Sequence, residues 1–276
     1  MTKIFVTDID GTLVGAGGEV HPRDAAAIKE LLRKEVPIAL CTGRMFSGTR
    51  ELAATFRLLG PVACIDGSHI FDLHSRGELS CTAISKDAST YVREALAMFR
   101  PAAFIFSGDR VIHDDRGQRF LNYLSTWSDV RHRVRDVVHP DVWLNETNVA
   151  ALVLMGDEES ISGVDRALHG VPGLQHIMFD VRREDLRGSW GMVVRASGVD
   201  KGTAIAWLAE HYGVGLEEVV AVGDWLNDVP MLKAAGESYA MAQAPAEVRA
   251  AAKHQLTADI WTGGGVAEAA ERAGLI

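Results

Sequence analysis

The chain has 276 residues, of which 47% are hydrophobic, so it can bury a large core and divide into two domains. Its formal net charge is −9 without any block of Lys or Arg, which argues against a nucleic-acid partner. The chain has three cysteines and no C-x-x-C pair, which argues against a disulfide framework and favours a cytoplasmic protein. Its apolar runs are shorter than the ~20 residues that cross a bilayer, which argues against a membrane partner.

The first apolar run, Ile4-Phe5-Val6, leads directly into two carboxylates, Asp8 and Asp10. A short apolar run bounded by turn residues predicts a buried strand, and open α/β sheets bind their ligands at the carboxyl ends of strands. Two neighbouring anions in such a cleft repel each other unless a cation such as Mg²⁺ lies between them. The alternative is an ordinary surface turn, because Asp-x-Asp-Gly is common in loops.

The next segment alternates helical and strand patterns. We predict a helix from Pro22, a strand over 37–41, a helix over 46–59 and a strand over 62–65. The second strand ends in Thr42-Gly43-Arg44 and the third in Asp66-Gly67. This alternation is typical of a parallel sheet with helices on its faces.

From about residue 83 the pattern changes to hairpins joined by helices, which predicts a separate α+β domain inserted into the first. Within it, His132, Asp136 and His139 have the spacing of metal ligands on one helical face. The alternative is an exposed polar face, because interleaved arginines would repel a cation. Four further residues are candidates for a surface that recognises substrate, or else for a solvated hairpin: Arg182, Arg183, Arg187 and Trp190.

The α/β pattern returns after residue 195. Lys201 opens a helix, and the apolar run 219–222 predicts a strand that ends in Gly223-Asp224, followed by Asn227-Asp228. We therefore predict a discontinuous core of residues 1–82 and 196–276, interrupted by an inserted domain of residues 83–195.

If the sheet is parallel, the polar strand ends meet in one cleft, whose side chains match the needs of phosphoryl transfer. Asp8 is the predicted nucleophile, and Asp10 the acid and then the base for the leaving oxygen and the attacking water. Thr42 offers its hydroxyl and backbone amide to a phosphate oxygen, and Lys201 adds a compact positive charge.

The same cleft predicts a magnesium site. Asp8, Asp224 and the backbone carbonyl of Asp10 are the expected ligands, with Asp228 making a water-mediated or outer contact. Arg44 either binds substrate or pairs with a carboxylate of the core. The predicted substrate-binding residues are Thr12, Gly43, Arg44 and Asn227.

Four segments of the chain, taken in order, resemble the motifs of haloacid dehalogenase superfamily phosphatases, and most of all those of the Cof-type branch with its class IIB cap. The segments are Asp8-Ile9-Asp10-Gly11-Thr12, Thr42-Gly43-Arg44, Lys201-Gly202 and Gly223-Asp224-Trp225-Leu226-Asn227-Asp228. The resemblance implies an α/β fold with a Rossmann-like parallel-sheet core, helices on both faces, and an inserted α+β cap that sets substrate specificity. It also implies Mg²⁺ as cofactor and hydrolysis of a small phosphorylated metabolite, such as a sugar phosphate, through an aspartyl-phosphate.

The chain departs from the family pattern at three places. Asp66-Gly67 stands where Asn-Gly is usual, Ala242-Gln243-Ala244 where Gly-Asn-Ala is usual, and Trp225 is bulky for its loop. These departures concern the substrate rather than the chemistry. The alternatives are a phosphomutase or phosphotransferase of the same superfamily and, from other classes, a signalling receiver domain or a non-catalytic module that binds a phosphorylated ligand.

Overall fold

A computed structural model describes residues 3–146, 148–181 and 183–276, so the predicted cap residue Arg182 lies outside the described residues. The chain forms two compact units. The first consists of the chain up to Gly43, Thr49–Ser80 and Val199–Ile276, and the second of Arg44–Gly48 and Cys81–Gly198. The segment Arg44–Gly48 therefore belongs to the second unit, although the sequence prediction places it in the first.

The described strands are, in chain order, β1 (Ile4–Thr7), β2 (Ile38–Cys41), β3 (Pro61–Cys64), β4 (His69–Asp72), β5 (Glu78–Cys81), β6 (Ala102–Ser107), β7 (Arg110–His113), β8 (Arg131–Arg133), β9 (Val149–Gly156), β10 (Leu174–Asp180), β11 (Trp190–Ala196), β12 (Val219–Gly223), β13 (Glu237–Ala240) and β14 (His254–Gln255). The described helices are α1 (Pro22–Arg33), α2 (Arg50–Phe56), α3 (Lys86–Phe99), α4 (Leu121–Leu124), α5 (Pro140–Asn145), α6 (Glu158–Leu168), α7 (Lys201–Tyr212), α8 (Val229–Ala234), α9 (Ala246–Ala251) and α10 (Gly265–Arg272). None of these helices is long and apolar enough to cross a membrane.

The sheet of the first unit has the strand order β14-β13-β12-β1-β2-β3-β4-β5. Its central strand β1 pairs in parallel with β2 on one side and with β12 on the other, so that Val6 lies between Ala39 and Ala221. The chain proceeds outward from β1 to β3 in one direction and from β12 to β14 in the other. The crevice between β1 and β12 is thus a topological switch point, where open α/β sheets bind ligands.

Burial on both faces explains why β1 is an unbroken apolar run rather than an alternating one. Successive residues of a strand point to opposite faces, and Ile4 and Val6 share a buried cluster with Ile205 and Leu208 of α7. A separate helix pair, α1 and α10, packs together and is joined by the buried carboxylate of Asp24, which accepts hydrogen bonds from the backbone at Gly264 and Ala267.

The second unit is built on a sheet with the order β10-β11-β9-β6-β7-β8, antiparallel except where β7 pairs with β8. Apolar residues of α3 and α6 pack in its core. The proposal of a helical metal face is wrong. His132 lies in β8, His139 caps the start of α5, and Asp136 accepts a 2.8 Å hydrogen bond from Arg116.

Candidate active site

The ends of β1 and β12 and the start of α7 bring four charged side chains together in the first unit. The ammonium nitrogen of Lys201 lies 2.6 Å from Oδ1 of Asp8 and 2.6 Å from Oδ1 of Asp228. One carboxylate oxygen from each of Asp8, Asp224 and Asp228 lies within 4.8 Å of the other two. All four side chains are buried, so their charges interact with little screening from water.

Local structure explains how Lys201 reaches this position. Asp200 caps α7, its side chain accepting from the backbone of Thr203 while the Thr203 hydroxyl accepts from the Asp200 amide. The capping box fixes the first turn and therefore the base of the Lys201 side chain. A cation at this end opposes the helix dipole, so the pairing with carboxylates, and not helix stability, accounts for a lysine here.

Burial dominates the protonation behaviour of the carboxylates. It raises the pKa of Asp8 well above its ordinary value, an effect opposed by the charge of Lys201 and reinforced by Asp228 and Asp224. Burial together with the charge of Asp228 raises the pKa of Asp224 to about 6. For Lys201, burial acts to lower the pKa, but Asp228 and Asp8 outweigh it and hold the pKa well above normal. The cluster has a surplus of negative charge.

Asp228 organises the loop after β12. Its Oδ2 accepts hydrogen bonds from the backbone amides of Asp224 (2.8 Å) and Trp225 (2.9 Å), while its Oδ1 faces Lys201. A side chain at Gly223 would overlap the Asp228 carboxylate, which explains the glycine before Asp224. Asp228 therefore holds both Lys201 and the loop that carries Asp224.

The carboxylate of Asp224 is held from two sides. The Thr12 hydroxyl donates to Oδ1 over 3.0 Å, and the Gln243 amide lies 3.3 Å from Oδ2. Gly11 adopts a φ of +88°, and a side chain there would overlap the same carboxylate. The structure thus places Thr12, predicted to bind substrate, on a proposed metal ligand.

The loop after β2 is anchored by Asp66. The backbone amide of Asp66 donates to the Thr42 carbonyl over 2.9 Å, and its Oδ1 accepts from Asn227 over 2.8 Å. The Thr42 amide, however, donates to the carbonyl of Ala63. The expectation that this amide binds phosphate is therefore wrong, because strand pairing has already engaged it. Gly43 lies beside Asp66, whose Oδ1 would be 3.6 Å from a Cβ added at Gly43.

Asp10 and Arg44 occupy different surroundings from the buried cluster. Asp10 is exposed, and its carboxylate does not belong to the group of three that share the 4.8 Å spacing among the described residues. Exposure suits an acid that must meet a substrate. Arg44 belongs to the second unit, where its Nη1 donates to the Gly48 carbonyl over 3.0 Å.

Two of the candidate recognition residues of the second unit, Arg183 and Trp190, have local contacts. Arg183 forms an ion pair with Asp185 at 2.7 Å and stacks over the Tyr123 ring at 5.8 Å. Trp190 packs against the core of its own unit. In the first unit, by contrast, Trp225, the residue after Asp224, is 54% exposed.

Sequence reasoning did not assign Asp66 or Gln243 to the site, although the structure gives each a direct contact with a predicted site residue. Both positions depart from the family pattern. The sequence signal that could have identified them is a polar residue that differs from the type usual in the family at or next to a motif.

Comparisons with known proteins show the family and the fold of this chain. The family model described as haloacid dehalogenase-like hydrolase matches residues 5–269. A phosphoglycolate phosphatase from Halorubrum lacusprofundi is 32% identical over 252 residues, 91% of this chain and 89% of the relative. A phosphoglycolate phosphatase from Methanopyrus kandleri is 27% identical over 269 residues, 97% and 95% of the two chains. A solved phosphatase of the haloalkanoate (HAD) enzyme superfamily from Bacteroides thetaiotaomicron shares the fold with a TM-score of 0.80 at 24% identity, covering 100% of this chain and 96% of the other.

The fold and the site define a phosphoryl-transfer enzyme of the α/β class. The chain belongs to the haloacid dehalogenase-like hydrolase family. The predicted family, the predicted fold class and the prediction of a haloacid dehalogenase-like phosphatase are confirmed.

Proposed function

We propose that the chain is a Mg²⁺-dependent hydrolase of phosphate monoesters that acts on a small phosphorylated metabolite through an aspartyl-phosphate on Asp8. The observation that carries this proposal is the contact of the Lys201 ammonium with both Asp8 and Asp228, beside Asp224, at the carboxyl ends of β1 and β12. A nucleophilic carboxylate, a fixed cation and further acidic ligands are the parts that phosphoryl transfer requires.

The donor set fits a hard divalent cation. Three buried carboxylates and one ammonium leave two negative charges without a counterion, and burial raises the pKa of Asp8 and Asp224 accordingly. Carboxylate oxygens are the ligands that Mg²⁺ prefers. Asp8, Asp224 and the backbone carbonyl of Asp10 are the proposed ligands, with Asp228 as an outer partner. When bound, Mg²⁺ would neutralise charge on the phosphoryl oxygens.

In the first step, an Asp8 oxygen forms a bond to phosphorus as the bond from phosphorus to the leaving oxygen breaks. Asp10 donates its proton to that oxygen. In the second step, Asp10 takes a proton from water, the water oxygen attacks phosphorus, and the bond to Asp8 breaks, which releases inorganic phosphate. Lys201 opposes the rise in the pKa of Asp8 and orients its carboxylate before the attack, because the Lys201 ammonium lies between Asp8 and Asp228.

The Thr42 hydroxyl, Gly43 and Asn227 are the proposed contacts of the transferred phosphate. Asn227 is oriented by Asp66, and the Thr42 carbonyl is held by the Asp66 amide. The second unit is the proposed cap, which selects substrates by the structure of their leaving group. Relatives named as phosphoglycolate phosphatases support a small phosphorylated acid as the substrate class.

The decisive experiment is a release assay for inorganic phosphate across a panel of phosphorylated acids, sugars and cofactors, with Mg²⁺ and with excess chelator. We expect Mg²⁺-dependent release from one or a few small substrates. The Asp10→Asn variant should form a phosphoenzyme from p-nitrophenyl phosphate, whose leaving group needs no proton, and should lose it slowly. Absence of release from every substrate, or full release in chelator, would refute the proposal.

A further inference from the structure

The side-chain amide of Gln243 connects three separate parts of the first unit. Its Nε2 donates to the Gly11 carbonyl over 2.8 Å and lies 3.3 Å from Oδ2 of Asp224. Its Oε1 accepts a hydrogen bond of 3.0 Å from the backbone amide of Ile260. One half-buried side chain thus touches the turn after β1, the loop after β12 and the segment before α10.

The chemistry of the partners allows one orientation of this amide. A carbonyl and a carboxylate only accept hydrogen bonds, so both must face the NH₂ group. The Ile260 amide only donates, so it must face the oxygen. A flipped Gln243 would place like groups together at all three contacts, and its NH₂ therefore points at Asp224.

Gln243 completes the restraint on Asp224. Thr12 donates a hydrogen bond of 3.0 Å to the other oxygen of the Asp224 carboxylate. The backbone of Gly11 lies so close to this carboxylate that a side chain at position 11 would overlap it. The Asp224 side chain is thereby held where one of its oxygens lies within 4.8 Å of those of Asp8 and Asp228. Groups that orient a metal ligand in this way commonly govern metal affinity.

We propose that Gln243 is a positioning residue of the metal site, which fixes the Asp224 carboxylate for Mg²⁺ by bridging it to Gly11 and Ile260. This inference rests on the proposed function, because it takes Asp224 to be a metal ligand. It also gives a role to Gln243 at the segment Ala242-Gln243-Ala244, where the family pattern usually has Gly-Asn-Ala. An asparagine is shorter by one methylene and cannot keep the Asp224 and Ile260 contacts together from the same backbone position.

The test is Mg²⁺ binding without substrate, measured by isothermal titration calorimetry and by the Mg²⁺-dependent rise in melting temperature. The Gln243→Met variant keeps the length of the side chain and removes all three hydrogen bonds. We expect its dissociation constant for Mg²⁺ to rise about tenfold or more, while kcat at saturating Mg²⁺ stays within about threefold of wild type, because Asp8 and Lys201 are unchanged.

Gln255→Met is the matched control, since Gln255 is exposed on the edge strand β14 of the same unit, and it should bind Mg²⁺ as wild type does. Gln243→Asn serves as a second variant if Gln243→Met does not fold. It retains an amide but cannot keep both contacts, and its dissociation constant should rise about tenfold, at the lower end of the range for groups that hold a metal ligand.

Three results overturn the inference. The first is wild-type Mg²⁺ affinity in a folded Gln243 variant. The second is a fall in kcat or melting temperature that saturating Mg²⁺ does not reverse, which would indicate a structural role alone. The third is a wild-type protein that hydrolyses phosphate monoesters without binding Mg²⁺. If the wild type shows Mg²⁺-dependent hydrolysis and the Gln243 variants bind Mg²⁺ normally, only this inference fails and the proposed function stands.

Discussion

The ammonium group of Lys201 lies 2.6 Å from Oδ1 of Asp8, and both side chains are buried. Asp8 follows the central strand, whereas Lys201 begins a helix 193 positions further along the chain. Taking a charged pair out of water costs free energy that the pairing has to offset. Because the cluster has surplus negative charge, its stability depends more on the Lys201 cation than on the Asp8 carboxylate.

Lys201→Met removes the cation and leaves Asp8 and Asp228 facing each other. Removing one partner of a buried ion pair typically costs about 3–5 kcal/mol. We expect a loss of this size in the free energy of unfolding, measured by urea in chelator, and a partial recovery with Mg²⁺. Lys233→Met, an exposed change in α8, should cost less than about 0.5 kcal/mol. Equal urea midpoints for Lys201→Met and wild type would contradict this dependence.

Asp8→Asn should keep the fold and abolish turnover. A neutral side chain suits the site, because burial already raises the pKa of Asp8, so the melting temperature in chelator should not fall. Loss of the nucleophile should reduce kcat about a thousandfold or more. The exposed substitution Asp87→Asn is the control and should leave kcat unchanged. Turnover by Asp8→Asn within about tenfold of wild type would remove Asp8 from the mechanism.

Proton competition should make Mg²⁺ binding depend on pH. The pKa of Asp224 without metal is about 6, against an ordinary 3.8, so below about 6 a proton must leave before the carboxylate can bind metal. We expect the affinity to fall by about tenfold or more for each pH unit below 6, measured by calorimetry. Circular dichroism at each pH controls for unfolding, and an affinity that does not change with pH would be inconsistent with this ligand.

The same shift affects the metal-free fold. Because the folded pKa of Asp224 exceeds the unfolded one, this group contributes stability below pH 3.8 that is lost as the pH rises through about 6. Mg²⁺ should restore stability at neutral pH, where the carboxylate is ionised and can bind it.

The central part of this site was predictable from the sequence because each residue is tied to the end of a regular element. Asp8 ends β1, Asp224 follows β12 and Lys201 starts α7, so pairing β1 with β12 in parallel is enough to gather them. Hydrophobic runs and turn residues reveal such ends. Gln243 contacts Asp224 and Ile260 because its side chain is long enough to reach both of these distant segments. The pattern of apolar residues along the chain does not predict such a contact.

The segment after β2 shows how tertiary contacts override a local pattern. The predicted helix over 46–59 is α2, Arg50–Phe56, and a 3₁₀ turn precedes it. In the second unit, the backbone amide of Met45 donates to the Trp127 carbonyl over 2.9 Å, and that of Ser47 to Asp109 over 2.6 Å. The segment before α2 forms its own turn, in which the Gly48 amide donates to the Met45 carbonyl over 3.1 Å. At the other end, Arg57 has a φ of 55°, which ends the helix.

The hydrogen bond from Asn227 to Asp66 can be tested by exchanging the two residues. Asn227→Asp places a second carboxylate 2.8 Å from the Asp66 oxygen, and the repulsion should displace the loop that carries Thr42. We expect kcat/KM for p-nitrophenyl phosphate to fall by the equivalent of about 2 kcal/mol, mainly through KM. Asp66→Asn alone should have a small effect, because the Asn227 amide still finds an oxygen to donate to.

The double variant Asp66→Asn/Asn227→Asp re-forms the bond with donor and acceptor reversed, and it should recover the part of kcat/KM that was lost through displacement of the loop, whereas the part lost through repulsion between the new carboxylate and the phosphate should remain. The resulting double-mutant cycle should give a coupling energy of about 1–2 kcal/mol. Asn145→Asp, an exposed change in the second unit, controls for added negative charge and should leave KM unaltered. If the two single effects simply add in the double variant, then Asp66 does not orient Asn227, and the Thr42 loop is held by other contacts.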